Sequence, residues 1–92
     1  MRTGMQKDNM KKIEPSTDTY SSTDFYSAAY LICSGLALLK TERVGYNRVV
    51  FVLQDSPKRA LLIQDFYGHK AKIDPLLYKD TLTNLKAIIH SV

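Results

Sequence analysis

Tryptophan is missing altogether, cysteine occurs once, and only four glycines and three prolines are present. A single cysteine cannot form an intramolecular disulfide. That removes the usual staple of small secreted folds and points to a reducing, cytoplasmic setting. No stretch approaches the roughly 18 apolar residues that a membrane span needs. No apolar run follows Arg2 before Ile13, so the start does not read as a secretory signal. The glycines stand singly, and none of them forms a phosphate-cradling loop of the Walker or dinucleotide type. The histidines, His69 and His90, fall in no spacing that makes a metal site with Cys33 or a carboxylate. Asp24, Asp55 and Asp74 each stand at an expected helix start, where capping accounts for them without an acid/base pair. Catalysis is therefore the least supported class. The expectation is a non-catalytic protein with no cofactor, no metal, no membrane contact and no evident small-molecule substrate.

What is present fits one small domain. The chain has 92 residues, of which 45% are hydrophobic. Residues 1–20 are polar, with Gly4 and Pro15 and little periodicity, and read as a flexible N-terminal arm. Met5 and Met10 stand in it as alternative starts. Residues 21–92 read as a single α+β domain.

That domain is organised around Arg48-Val49-Val50-Phe51-Val52-Leu53, the densest β-branched and aromatic run. As a strand it turns Val49, Phe51 and Leu53 to one face and Val50 and Val52 to the other. Both faces are apolar, which predicts cover on both sides. Leu36 to Thr41 reads as its partner strand, with Arg43 to Asn47 as the turn of a hairpin whose loop is four or five residues long.

Helices surround the hairpin. Ser21, Ser22, Thr23 and Asp24 are capping types, and Phe25, Ala28, Ala29 and Ile32 follow at helical spacing. Asp55-Ser56-Pro57 and Asp74-Pro75 repeat a capping side chain followed by proline, which predicts two more helix starts. Gly68 ends the second helix. In the third, Tyr78, Leu82, Leu85, Ile89 and Val92 make an apolar stripe opposite Lys79, Asp80, Asn84 and Lys86. Lys70 to Ile73 is the expected place of a short third strand, since a lone hairpin is marginal in water. The expected order is α-β-β-α-(β)-α.

Particular residues add a resemblance. Thr23-Asp24, Ala28-Ala29-Tyr30-Leu31 and Gly35 stand before the strand Val49-Val50-Phe51-Val52 and Asp55. Phe66-Tyr67-x-Gly and Ile73-Asp74-Pro75 come after it. Over residues 22–90 this pattern resembles a small family of uncharacterised bacterial and phage-associated domains. The resemblance implies a bacterial, archaeal or mobile-element context and brings no assigned activity.

The net charge is +4, most of it beyond residue 20. Arg43, Tyr46 and Arg48 cluster at the hairpin turn, Lys58 and Arg59 open the second helix, and Lys70 and Lys72 flank the connector with His69 and Tyr67. Basic groups interleaved with aromatic rings suit DNA or RNA: the charges hold phosphates and a ring stacks on a base. These seven residues are the expected nucleic-acid-binding set, although no helix-turn-helix, finger or ribonucleoprotein motif accompanies them. The bland alternative is a solvated surface whose lysines guard a sheet edge. The other functional class is a protein-interaction or homodimeric accessory module. In it a partner chain covers one apolar face of the hairpin or adds strands at an open edge. Tyr20, Tyr26 and Tyr30 are its expected exposed face.

Overall fold

The structure is a computed structural model and describes residues 18–91. The fold is α+β: a central hairpin, extended to a three-stranded antiparallel sheet, packed with three helices. The elements are β1 (Thr19–Ser22), α1 (Phe25–Cys33), β2 (Leu38–Val44), β3 (Arg48–Gln54), α2 (Arg59–Tyr67) and α3 (Pro75–Ser91). The sheet order is β1-β3-β2, so β3 is central as its apolar run predicts. Among the described residues no helix is long and apolar enough to cross a membrane.

The third strand differs from expectation. It is β1, not Lys70 to Ile73, which carry no strand. β1 reads Thr-Tyr-Ser-Ser, and its polarity hides it: only Tyr20 and Ser22 lean inward, each half-buried. Ladder bonds to β3 organise this strand, with Tyr20 opposite Leu53 and Ser22 opposite Phe51. Thr19 and Tyr20 thus belong to the sheet although they lie inside the segment expected to be an arm. The rest of that expected arm, residues 1–17, falls outside the described residues, as does Val92.

Cap chemistry explains two of the three helix starts. The Asp24 carboxylate accepts the Tyr26 N–H at 3.0 Å, and Asp74 accepts the Leu76 N–H at 3.1 Å with Pro75 in the first turn. The third start comes later than Asp55-Ser56-Pro57 predicts. Asp55 takes the Ser56 N–H at 2.8 Å, residues 57–58 form a turn, and α2 begins at Arg59 with no side-chain cap.

All three helices pack on the Val49/Phe51/Leu53 face. Ala28 and Ala29 of α1 and Leu85 of α3 close over Phe51, with Val49, Tyr78, Leu82 and Ile89 around them. Leu31 and Leu36 close over Leu53, with Leu62 and Ile63 of α2 alongside. Val50 and Val52 join neither cluster. Cover on both sides is the expectation; among the described residues the helices supply it on the Phe51 face. Val52 is nonetheless buried, between cross-strand neighbours Ser21 and Lys40.

The tyrosines do not form one exposed face. Tyr30 is buried and stacks on Phe66 at 5.5 Å, Tyr20 is half-buried on β1, and of these three Tyr26 alone is exposed.

Candidate nucleic-acid interface

The hairpin is tighter than its residues suggest. Val44 pairs with Arg48, so the loop is only Gly45-Tyr46-Asn47, and Arg43 and Val44 belong to β2. Gly45 takes φ 62°, a value that suits glycine in a short hairpin loop. Tyr46 is thereby carried to the tip, where the residue is 93% exposed. Strand alternation then sends Arg48 to the Val50/Val52 face and Arg43 to the helical face.

Arg43 has a structural partner there. Its Nη2 donates to the Ile89 carbonyl at 3.2 Å, in the last turn of α3. Carbonyls at a helix C-terminus lack intrahelical partners and carry partial negative charge, so a guanidinium is well placed. This contact brings α3 to the hairpin tip, and Lys86 with it. Lys86, Ile89, Asn47, Thr23 and Tyr26 line a shallow depression beside the turn. Thr23, Val44, Tyr46 and Arg48 line an open concavity of about 790 Å³ at the same tip. Among the described residues the cations at this end are Arg43, Arg48 and Lys86. Glu42 is paired with Lys40 at 2.9 Å.

The remaining members of the expected set lie elsewhere. Lys58 and Arg59 follow the far end of β3, whose seven residues separate them from the tip by roughly 20 Å. Lys58 is exposed. Arg59 is committed locally, with its Nε 3.1 Å and Nη2 3.3 Å from the two oxygens of Asp55. Its guanidinium carbon lies 4.3 Å from the centre of the Tyr20 ring. The hydrogen bond from Arg59, with that from the Ser56 N–H, holds the Asp55 carboxyl below the usual range, and the same contact raises Arg59. Lys70 and Lys72 are exposed on the connector between α2 and α3. The seven residues thus divide into a tip group (Arg43, Tyr46 and Arg48), a far-end pair and a connector pair.

Lys86, Tyr26 and Asn47 were not legible as site residues. Lys86 reads as the wet side of a helix. The usable signal is length: α3 has 17 residues, about 25 Å, enough to carry its C-terminus along the sheet. Near the groove, burial would push the Asp24 carboxyl up, but hydrogen bonds from the Tyr67 hydroxyl, Ser27 and the Tyr26 N–H outweigh it and leave the carboxyl lowered. Tyr67, holding Asp24 through its hydroxyl, is raised. Cys33 is half-buried, with its Sγ 3.2 Å from Thr81 Oγ1.

A family model described as a domain of unknown function, DUF5659, matches residues 17–91. The chain belongs to this family. The match covers β1 through α3, in agreement with the resemblance read over residues 22–90. No curated protein and no solved structure matches the chain.

Proposed function

We propose that this member of the DUF5659 family is a non-catalytic cytoplasmic binding module that takes single-stranded nucleic acid at its hairpin tip. The observation that carries the reading is Tyr46, a residue 93% exposed on a tight turn. Arg48 lies on one side of it, Arg43 and Lys86 on the other. A solvent-facing ring between cations offers a base a stacking surface and its phosphates counter-charges. Lys58 and Arg59 are left out of this site, because β3 separates them from the tip and Asp55 neutralises Arg59.

Fluorescence anisotropy of labelled single- and double-stranded DNA and RNA, titrated at two salt concentrations, tests the reading. Two or three neutralised phosphates on a single strand give a slope of log K against log salt of about −1.5 to −2. Tyr46→Ala weakens binding by about 1–3 kcal/mol through lost stacking. Arg48→Ala with Lys86→Ala flattens the salt slope. Absence of binding at low salt removes the proposal.

A further inference from the structure

Among the described residues the outer edge of β2 is the longest open feature of the sheet. With the order β1-β3-β2, both β1 and β2 are edges, but β1 spans four residues and β2 seven. Leu39, Lys40, Glu42, Arg43 and Val44 of β2 are all exposed. An edge of this length presents unpaired backbone groups that another strand can take up.

We infer that β2 pairs antiparallel with β2 of a second copy of this chain, about a two-fold axis through Thr41, so that Lys40 of each copy lies opposite Glu42 of the other. The two-fold axis must stand perpendicular to the sheet, because only that rotation brings the same edge against itself in antiparallel direction. One residue then faces its own counterpart. Thr41 bisects Leu38–Val44, so centring on it overlaps the whole strand. Lys40 and Glu42 lie on one face, opposite Val52 and Val50 of β3 and 2.9 Å from each other within the chain. Centred on Thr41, the pairing sets Lys40 against Glu42 twice, and Thr41 against Thr41 on the other face. Opposite charges and threonine pairs both stabilise when directly opposed.

Neighbouring registers are disfavoured by the same side chains. An axis through Glu42 opposes two carboxylates, and an axis through Lys40 opposes two ammonium groups. The Lys-Thr-Glu run therefore selects one alignment. The bulge between Leu38 and Lys40 interrupts the ladder near each end of the overlap, which makes a weak, concentration-dependent dimer. The pairing shares Arg43 and Val44 with the hairpin-tip site but does not rest on nucleic-acid binding.

Sedimentation equilibrium on the full chain from low-micromolar to millimolar concentration tests it. Lys40 and Glu42 side chains are 60% and 48% exposed, so substitution there leaves the fold intact. Lys40→Glu alone opposes carboxylates at both symmetric contacts, and Glu42→Lys alone opposes ammonium groups. Each raises the dimer dissociation constant about tenfold or more. The double variant, Lys40→Glu with Glu42→Lys, restores both pairs and returns the constant to the wild-type value. A wild-type chain that stays monomeric throughout, an association indifferent to the single changes, or a double variant as weak as the singles overturns the inference.

Discussion

Asp24 does several things at once: it caps α1, receives the Tyr67 hydroxyl and thereby ties the end of α2 to the start of α1. Its carboxyl is lowered below the ordinary 3.8 of an aspartate, so its contribution is present above that pH and lost as pH falls through the lower folded value. Tyr67 is raised above 10.0, so its contribution is present below pH 10 and lost as pH rises through the folded value. Asp24→Ala should cost about 1 kcal/mol at neutral pH through the lost cap. Urea titrations should show the gap to wild type narrowing in acid. Tyr67→Phe should show a gap that is steady near neutral pH and narrows both in acid, as Asp24 protonates, and above pH 10. The end of α2 offers a second test. Gly68 is not left-handed; a Cβ there would stand 2.9 Å from the Gln64 carbonyl, and the residue at φ 62° is His69. Gly68→Ala should therefore destabilise by about 1 kcal/mol or more. His69→Gly should be neutral or stabilising by up to ~1 kcal/mol, since it relieves a left-handed side chain.

Among the elements, β3 and α3 carry the structure. Phe51 is 1% exposed and meets Ala28, Ala29 and Leu85 from two helices. Truncating it to alanine removes about 3–5 kcal/mol. A domain this small stands near the low end of the usual range of about 5–15 kcal/mol, where such a loss is most of the total, so thermal melts of Phe51→Ala should lack a cooperative transition. Arg43 links β2 to the last turn of α3. Replacing it with alanine should cost about 0.3–1 kcal/mol and raise amide exchange in the last turn of α3 without affecting Leu85. The helical stripes were legible because burial on one side imposes a period near 3.6. β1 was not, because a four-residue polar edge strand has no apolar alternation to read.

Across the whole molecule, charge location decides what can cooperate. The tip and the α2 start lie at opposite ends of β3, so a short ligand cannot engage both. Lys58→Ala should leave nucleic-acid affinity unchanged, whereas Arg48→Ala should reduce it together with its salt slope; anisotropy at matched ionic strength separates them. The helices' placement on one face has a second consequence. Among the described residues it leaves the β2 edge and the Lys40–Glu42 pair open, where a helix layer on the other side would have crowded them.

Order along the chain, the caps at Asp24 and Asp74, the central rank of β3 and the apolar stripes of α1 and α3 were determined by the sequence alone. Each follows from local periodicity or from hydrogen bonding within a few residues. Tertiary structure alone decided that β1 joins the sheet and that every helix lies on the Phe51 side. It alone decided that Arg43 serves the end of α3 while Arg48, Tyr46 and Lys86 meet at the tip. These depend on residues far apart in the sequence, such as Tyr20 with Leu53 and Arg43 with Ile89, whose meeting no local pattern encodes.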